Sequence, residues 1–452
     1  MRVAIPINWN LDASSLTNIA RHNFRELGKI MNTTQSFTIS AIGIKSVGLG
    51  DFNLRYDLLH IPNMGGYKFA INATEHCKKI IFGLSGIDEV IYGKEVMLWK
   101  NMWRVQEPII KQEIKNWKKL VQLVKSIHVT TKSEFEEAHM YLGIPHEKMT
   151  IIPHGVDHDF FVPTDNKEKT RTGVLQKLKK VRQDSRTQKG HDLEESYSIP
   201  NQKYFLHIGE LNMARKNIPR IINAFKKSRK LGLKHNLIIV GKHTIELQHR
   251  CDNQPGIFLL GWVSNNHLLE LIQGADALLL PSIHEGFGMP LLEAMACGTP
   301  CISSNKHSPP HVIGDSGILV NSHSETEISN AMLSLANDSK LLEELSEKSI
   351  KRSYDFSWEK NAQQIFKLYE IDSSKPMKNF DEFYDLAAYR TLVTVCDFFP
   401  NKKQNLILSL LKFDYDDLIK WANDFGLDNP KTKDFLLPFE EWLNNKSTKT
   451  SQ

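Results

Sequence analysis

Two hydrophobic patterns alternate along most of this chain, and together they predict strands followed by helices. Short apolar runs bounded by Gly, Pro, Asn or Asp are typical of strands that are covered on both faces. Between residues 14 and 31, apolar residues recur with the helical period, and Ser14 or Ser15 is a suitable N-cap. The apolar runs of this first part predict strands at residues 2–7, 37–42, 56–61, 79–82 and 126–131.

The same alternation continues in the second half of the chain. Residues 203–210 predict a strand and a turn, and a helix is predicted over residues 356–370. Further strands are predicted at residues 237–241, 257–261 and 277–280. Strands that alternate with helices in this way favour doubly wound parallel sheets, so the predicted fold class is α/β.

The most informative stretch lies at residues 275–320, where a buried strand leads into a short helix. The strand ends before Pro281, a turn carries Gly286 and Gly288, and the helix from residue 289 ends at Gly298. At such a junction several backbone N–H groups and the positive end of the helix dipole point at one spot. The missing side chains of the two turn glycines let an anionic group approach the backbone.

Two carboxylates flank this junction. Glu285 lies on the turn and Glu293 lies inside the helix, eight positions later. One can therefore face a ligand at the helix mouth while the other reaches a second part of the same ligand. A sugar nucleotide offers this combination, with a diphosphate for the helix end and sugar hydroxyls for the two carboxylates.

Residues 285–301 read E-G-F-G-M-P-L-L-E-A-M-A-C-G-T-P-C. This motif resembles the signature of the retaining glycosyltransferases of family 4, with Cys301 where valine is usual. The segment I-I-P-H-G-V-D at residues 151–157 is similar to the family's I-P-N-G-V-D, and the likeness extends to about residue 371. It implies the GT-B fold, in which two Rossmann-like domains face a cleft. It also implies a nucleotide diphosphate sugar as co-substrate, with no metal and no other cofactor.

On this basis, residues 1–163 are expected to form an acceptor-binding domain and residues 202–355 a donor-binding domain. Residues 164–201 are rich in Lys and Arg and poor in aromatics, which predicts a charged, solvated linker. Residues 356–372 are expected to form a helix that crosses back to the first domain. The remaining residues, 373–452, carry three amphipathic patterns and predict a helical appendage that packs on the second domain, with a partner-binding surface as the alternative.

The resemblance assigns roles to the donor-side residues. Glu285 is expected to hold hydroxyls of the donor sugar, and Glu293 the ribose. Lys216, supported by Arg215, is expected to neutralise the diphosphate as charge develops on the leaving group. Glu210 stands where the family usually has an Arg. The remaining expected donor contacts, largely through backbone N–H groups, are Gly209, Gly286, Phe287, Gly288 and Met289.

The acceptor side is less sharply defined. Residues 57–66 resemble a family segment in which a strand ends in a His near the cleft, so His60 and Asn63 are expected to meet the acceptor. The alternative is a histidine that is hydrogen-bonded at a strand end. After the next strand the family usually has a His beside the reacting sugar, where this chain has Ser85 and Gly86. Either Asp88 or His60 then positions the acceptor, or turnover is slow, or the donor is bound without being used.

The composition agrees with this architecture. The chain has 452 residues, which suits two domains, and 41% of them are hydrophobic. No apolar run reaches the ~20 residues of a membrane-spanning helix, and Pro6 interrupts the first strand too early for a secretory signal, so a cytoplasmic protein is expected. The five cysteines favour reduced thiols. A zinc site is not favoured because the spacers are short and two of its candidate ligands occupy buried positions. Those candidates are Cys297, Cys301, His307 and His311.

Residues 100–126 predict a long amphipathic helix with lysines beside its apolar seam. Such a surface suits peripheral contact with the inner face of an anionic membrane, where a lipid-linked acceptor would be presented. The alternative, a solvated outer helix, is favoured. The basic run at 164–201 has no aromatic platform and the net charge is only +5, so no nucleic-acid partner is expected. The lysines are Lys111, Lys115, Lys118, Lys119 and Lys125.

The residues and the resemblance together predict a retaining glycosyltransferase. It would transfer a hexose from a UDP- or GDP-linked sugar to a hydroxyl of a sugar or of a lipid-linked glycan. Two alternatives stay open. A sugar-nucleotide 2-epimerase on the same architecture would release a free product, and an inactive donor-binding protein would scaffold a glycosylation complex.

Overall fold

A computed structural model gives the architecture of the chain. The residues that the structure describes form two six-stranded sheets, and every strand pair in them is parallel. Each sheet has a buried apolar cluster on both faces, which confirms the prediction of two doubly wound α/β domains. The structure describes residues 1–7, 15–43, 56–62, 77, 79–84, 102–185, 199–209, 215–241, 245–252, 254–261, 263–371, 373–381, 384, 387–388, 391 and 434–440.

The first sheet has the strand order β2-β1-β3-β4-β5-β6. The five strands predicted in this part of the chain are all present, with bounds that differ by one or two residues, and β6 is an addition to them. The strands are β1 (Arg2–Ile7), β2 (Thr38–Gly43), β3 (Leu58–Ile61), β4 (Ile80–Gly83), β5 (Ser126–Val129) and β6 (Met149–Ile151).

The second sheet has the strand order β12-β11-β10-β7-β8-β9. The order reverses between β7 and β10, and ligands of such sheets bind where the strand order reverses, at the carboxyl ends of the strands. This switch point is therefore the expected location of the donor site. The strands are β7 (Tyr204–Ile208), β8 (Asn236–Val240), β9 (Ile257–Leu260), β10 (Ala277–Leu280), β11 (Cys301–Ser304) and β12 (Ile318–Val320).

The described helices connect and cover these strands, and several begin at side-chain caps. Thr131 accepts a hydrogen bond from the Glu134 N–H at the start of α3, and Gly143 ends this helix with φ 68°. The helices are α1 (Ser15–Thr34), α2 (Met102–Leu123), α3 (Lys132–Leu142), α4 (Lys167–Ser185), α5 (Ile218–Lys230), α6 (Ile245–Cys251), α7 (Asn265–Gly274), α8 (Met289–Ala296), α9 (Pro309–Ile313), α10 (Glu325–Asn337), α11 (Ser339–Ser353) and α12 (Trp358–Tyr369).

The last long helix, α12, returns from the second domain to the first. Ala362, Ile365 and Tyr369 are buried in the same cluster as Phe24 and Leu27 of α1. The apolar face of α12 thus belongs to the core of the first domain, as predicted for the crossover helix. This packing ties the two domains together.

The segment predicted as a charged linker, residues 164–201, contains α4. Val174, Leu175 and Leu178 lie on one side of this helix and are buried in a core cluster of the second domain. Arg171 is also buried, and its Nη2 donates to Asp276 Oδ1 at 2.7 Å. The prediction of a solvated segment is therefore wrong for α4, because a narrow apolar stripe among the many basic residues is enough to dock it.

The C-terminal part also differs from the prediction. Phe435 and Phe439 pack on Phe24 of α1, with ring centroids 5.4 and 6.3 Å from it. Asp434 forms an ion pair with Arg21 at 2.7 Å. The described tail therefore packs on the first domain, and the prediction that it packs on the second is wrong for residues 434–440. Most of the three predicted amphipathic helices lie outside the described residues.

The basic amphipathic helix is present as α2. Trp117 and Leu120 are buried against the first sheet, while Lys115, Lys118 and Lys119 are exposed. In the part of the chain that the structure describes, no helix is long and apolar enough to cross a membrane.

Candidate active site

The candidate donor residues converge at the switch point of the second sheet. Glu285 follows β10 and Lys216 follows β7, and these two strands are hydrogen-bonded neighbours. Residues far apart in sequence therefore meet because the carboxyl ends of adjacent parallel strands share one edge of the sheet. The Lys216 Nζ lies 2.6 Å from Glu285 Oε1.

Glu285 is buried between two cations. The Arg215 Nη1 lies 3.5 Å from Glu285 Oε2, on the other carboxylate oxygen from Lys216. Burial acts to raise the pKa of Glu285, but the charges of Lys216 and Arg215 outweigh it and lower the pKa to about 2. Among the described residues, Glu285 is thus accompanied by two cations, and these three side chains together carry a net positive charge.

The turn after Glu285 is fixed from several sides. The carbonyl of Gly286 accepts hydrogen bonds from Thr130 Oγ1 of the first domain at 3.1 Å and from Ser308 Oγ at 2.7 Å. Phe287 is buried, with its ring 5.1 Å from that of His154. The side chain therefore points into the core, and only its backbone is placed to meet a ligand.

Helix α8 begins immediately after this turn. Its N-cap, Gly288, has φ 92° and makes no side-chain cap, and a Cβ added there would lie 2.8 Å from Leu291 Cδ1. Only glycine adopts this conformation without strain. The first N–H groups of a helix lack intrahelical acceptors, so the backbone from Gly288 and Met289 onward presents donors to an anionic ligand.

Glu293 occupies the middle of α8 and is half-buried. Its carboxylate forms no hydrogen bond or ion pair with any described residue, and burial raises its pKa to about 7. The two glutamates of the motif therefore differ in state. Glu285 is a charged member of the cluster with Lys216 and Arg215, whereas the carboxyl group of Glu293 is available to accept a hydrogen bond from a ligand.

Gly209, at the end of β7, allows Lys216 to approach. A Cβ added at Gly209 would lie 3.2 Å from Lys216 Cε, which is tighter than most such contacts. Glu210, at the position where the resemblance expects an Arg, lies outside the described residues. Arg215 places a second cation beside Glu285, with its Nη1 3.5 Å from Glu285 Oε2.

On the acceptor side, the structure corrects one expectation. His60 is completely buried, with Nδ1 3.0 Å from the Tyr369 hydroxyl and Nε2 3.1 Å from His128 Nε2. A side chain so enclosed cannot meet an acceptor, so the alternative, a histidine hydrogen-bonded at a strand end, is the one that fits. Asn63 and Asp88 lie outside the described residues, as do Ser85 and Gly86.

Sequence reasoning missed several residues near the donor turn. Thr130 and Ser308 hold the Gly286 carbonyl, and His154 packs on Phe287 with both ring nitrogens buried and no hydrogen bond to the described residues. A signal for His154 was visible, because it replaces the Asn of the I-P-N-G-V-D segment. No local pattern marks Thr130, which reaches Gly286 across the two domains.

The four residues considered as zinc ligands do not gather in one place. Cys297 and Cys301 are buried, and burial raises the pKa of both thiols well above the ordinary value. His307 faces a different group, since its Nδ1 lies 2.8 Å from Glu137 Oε1 in the first domain. His311 is half-buried near Arg352.

This fold is of the GT-B class, with two Rossmann-like domains, and the start of helix α8 lies at the switch point of the second. Residues 191–352 match the family model described as glycosyl transferases group 1. The match covers the strands, the cations and the helix that form the donor side. It confirms the resemblance drawn from residues 285–301.

Curated relatives point the same way. The chain is 31% identical over 184 residues to the O-antigen chain mannosyltransferase B of Escherichia coli, covering 39% of this chain and 48% of that protein. It is 29% identical over 186 residues to the N-acetyl-alpha-D-glucosaminyl L-malate synthase of Bacillus anthracis, covering 39% and 48%. The chain thus spans about half the length of these relatives.

Solved structures confirm the fold. Sucrose-phosphate synthase from Thermosynechococcus elongatus has a TM-score of 0.61 at 16% identity, covering 82% of this chain and 98% of the other. HepE of Anabaena in complex with UDP-glucose has a TM-score of 0.61 at 14% identity, with coverage of 82% and 99%. WaaG, a glycosyltransferase involved in lipopolysaccharide biosynthesis, has a TM-score of 0.55 at 15% identity, with coverage of 81% and 99%.

Proposed function

We propose that this protein transfers a hexose from a nucleotide diphosphate sugar to a hydroxyl of a sugar or of a lipid-linked glycan. The observation that carries the proposal is the buried cluster of Glu285, Lys216 and Arg215 at the switch point, directly before the open end of α8. Buried charges are costly unless they are paired, and a net positive cluster is the state that an anionic ligand completes.

The cluster explains how the leaving group is stabilised. An ammonium has three N–H donors, so Lys216 can keep its hydrogen bond to Glu285 and donate to a phosphate oxygen as well. As the bond to the sugar breaks, negative charge grows on the diphosphate. Cations that are already in place stabilise this charge more than the ground state, and so lower the barrier.

The two carboxylates, Glu285 and Glu293, then each bind one of the two sugars of the donor. Glu285, fixed in its charged form, is suited to hydroxyls of the transferred hexose, and Glu293 to hydroxyls of the ribose. The backbone of Phe287, Gly288 and Met289 would hold the phosphates. These assignments rest on the positions of the residues around α8 and on the family resemblance.

The identity of the donor is proposed from the relatives. The first of them is named a mannosyltransferase, and another is named for GDP-mannose. A neighbouring structure is titled as a UDP-glucose complex. GDP-mannose is therefore the first donor to test and UDP-glucose the second. We further propose that no metal takes part in the transfer, because Lys216, Arg215 and the end of α8 supply the positive charge.

A panel of GDP-, UDP- and ADP-linked sugars tests the proposal by thermal shift. A ligand at 100 times its Kd stabilises the folded state by about 2.7 kcal/mol, which is readily visible as a rise in Tm. The donor that shifts Tm is then incubated with sugar acceptors, with and without excess EDTA. Transfer or donor hydrolysis that persists in EDTA is expected. Activity that is lost in EDTA and restored by magnesium or manganese would contradict metal independence.

The same experiment separates the alternatives. Release of a free epimerised sugar nucleotide without acceptor would indicate a 2-epimerase. Binding of the donor without transfer or hydrolysis would indicate a scaffold protein. No observation in the structure favours either alternative.

A further inference from the structure

A second polar cluster lies beside the donor turn, where the two domains meet. Glu137 of α3 comes from the first domain, while His284 and His307 come from loops of the second. The Glu137 Oε2 lies 3.1 Å from His284 Nε2, and Glu137 Oε1 lies 2.8 Å from His307 Nδ1. The one ligand atom that each residue offers lies within 4.8 Å of the other two.

The surroundings hold this cluster in place. Ser308, next to His307, bonds to Thr131 at the cap of α3, with the two hydroxyl oxygens 2.8 Å apart. The Ser133 hydroxyl donates to Glu137 Oε1 at 3.2 Å and so orients the carboxylate. His307 has φ 64°, a left-handed conformation that few residues other than glycine adopt. Three elements from two domains are therefore positioned around one point.

We propose that Glu137, His284 and His307 bind a zinc ion that links the two domains. Two imidazoles and one carboxylate are a ligand set that zinc accepts in proteins, with a fourth position for water. Ligands about 2.1 Å from a tetrahedral ion lie about 3.4 Å from one another. The nitrogen–oxygen distances of 2.8 and 3.1 Å need to open by only a few tenths of an ångström.

The ligand types favour zinc over magnesium. Magnesium prefers oxygen ligands in an octahedron, whereas imidazole nitrogens suit zinc and its neighbours in the first transition series. The side chains of His284, Glu137 and His307 are 1%, 13% and 15% exposed. The site is thus sheltered from bulk water, while the two more exposed ligands leave an entry path for an ion.

The zinc site is distinct from the reaction centre. Glu285 uses both carboxylate oxygens for Lys216 and Arg215, and it is no member of the cluster. The ion would instead join α3 to the loops on either side of the donor turn. Its effect would be to stabilise the arrangement in which the two domains are in contact at Gly286.

The test is zinc binding by isothermal titration calorimetry to metal-stripped full-length protein. We expect one zinc ion to bind per protein molecule, with an affinity that falls when any of the three ligands is replaced. Glu137→Gln and His307→Gln should each lower the zinc affinity at least tenfold, since even the loss of a group that only orients a ligand costs 10 to 100-fold. Cobalt as a probe adds a second readout, because tetrahedral cobalt absorbs visible light strongly. Magnesium chloride should give no heat.

Matched controls lie nearby, at Glu136 on α3 and at His146 in the segment that follows this helix. Glu136 is exposed and pairs with His146 at 3.6 Å, and the rings of His139 and His146 lie 3.9 Å apart, which makes them the obvious rival site. Glu136→Gln and His146→Gln should keep the wild-type zinc affinity. Circular dichroism without metal shows whether each variant folds, and His307→Gln, in a loop, keeps the test open if Glu137→Gln does not fold.

Two results would overturn the proposal. One is a wild-type protein that binds no zinc. The other is one-to-one binding that persists in folded Glu137→Gln or His307→Gln protein. Neither result depends on glycosyl transfer, so a failure of the zinc proposal and a failure of the proposed function can be told apart.

Discussion

The carboxyl edges of both sheets bury polar side chains, but the two domains bury them in different states. In the second domain, Glu285 is charged and lies between Lys216 and Arg215. In the first, His60 and His128 lie 3.1 Å apart, and burial lowers the pKa of His128 to about 4 and that of His60 well below its ordinary value. Both histidines are therefore neutral at pH 7.

The difference shows where a charged ligand is expected. Burying a charge is costly unless a partner compensates it, whereas a neutral imidazole needs only a hydrogen bond. The second domain keeps an arrangement that a diphosphate would complete. In the first domain the two histidines share one hydrogen bond and His60 has a second with Tyr369, so His60 serves the packing of α12 on the sheet. Side chains such as Glu285 and His60, which are similarly buried at strand ends, thus differ in charge and are expected to serve different functions.

The variant Lys216→Ala is expected to have the largest effect, and it tests the charged cluster of the second domain. The change removes the closer cation and leaves Glu285 buried with only Arg215 nearby. We expect transfer to fall at least 100-fold, because one preplaced donor to a developing charge contributes about 2.7–4 kcal/mol. Stability should also fall, but by less than the about 3–5 kcal/mol that is typical of leaving a buried charge unpaired, because Arg215 still pairs with Glu285.

Steady-state kinetics and urea unfolding measure the two effects of Lys216→Ala. Binding of a nucleoside without phosphates should change little. Lys230→Ala, at an exposed position of α5, is the matched control and should match the wild type. An unchanged rate with intact diphosphate affinity would show that another group supplies the cation.

The next largest effects separate the two glutamates. Glu293→Ala should weaken binding of a nucleoside diphosphate by about 1.5–3 kcal/mol, the typical contribution of a hydrogen bond to a charged group. Glu285→Ala should chiefly lower turnover, because Lys216 and Arg215 still face the diphosphate. Isothermal titration with the diphosphate distinguishes them, and equal losses of affinity would refute this division of roles.

A smaller effect follows from the pKa of Glu293, which burial raises to about 7. The group is mostly protonated below pH 7 and becomes a carboxylate, the stronger acceptor, above it. Affinity for a nucleotide sugar should therefore rise between pH 6 and pH 8. A nucleotide sugar is the right probe because its diphosphate does not titrate in this range. In Glu293→Gln the rise should disappear, and a variant that keeps it would place the titrating group elsewhere.

These residues also show how far a sequence can be interpreted. The strand Ala277–Leu280 and the helix Met289–Ala296 lie where their patterns predicted, because both follow from local signals, an apolar run and a Gly-bounded helix. The family resemblance assigned Lys216 and Glu285 to the same expected donor site, but it did not predict that the two side chains are in contact. Their contact depends on the order of strands in the sheet, which no local pattern contains.

Other features depend on long-range packing alone. The bond from Glu137 to His307 joins residues 170 positions apart, and that from His60 to Tyr369 joins residues 309 apart. The stripe of Val174, Leu175 and Leu178 that docks α4 is three residues within a basic run. Such a stripe is too short to outweigh the charge of its surroundings in a sequence window, although burial in the core decides the structure.

The variant Tyr369→Phe tests the neutral histidines of the first domain. The Tyr369 hydroxyl lies 3.0 Å from His60 Nδ1 in a buried environment, so its loss leaves a ring nitrogen without this partner. We expect a loss of about 1–3 kcal/mol in the free energy of unfolding, measured in urea, with kcat/KM nearly unchanged. Tyr141→Phe, at an exposed position, is the control. A large loss of kcat/KM with unchanged stability would return His60 to the acceptor site.

The smallest effect concerns cations on the outside of the first domain, in contrast to the buried Lys216. Lys115, Lys118 and Lys119 are exposed on one side of α2, and each would contribute about 1 kcal/mol to binding at an anionic membrane surface. Lys125 extends the predicted stripe, but it forms an ion pair with Glu370 and so contributes less.

Three exposed lysines are few for stable attachment, so we expect binding that is weak, reversible and abolished by high salt, because salt screens exposed charges. Flotation with liposomes that contain phosphatidylserine, at low and at high ionic strength, measures it. A variant with all three lysines changed to glutamine should not float, whereas Lys340→Gln, on α11 of the second domain, should float like the wild type. If the wild type stays unbound at low salt, or if the triple variant floats equally well, α2 is a solvated outer helix and the first domain meets its acceptor by another surface.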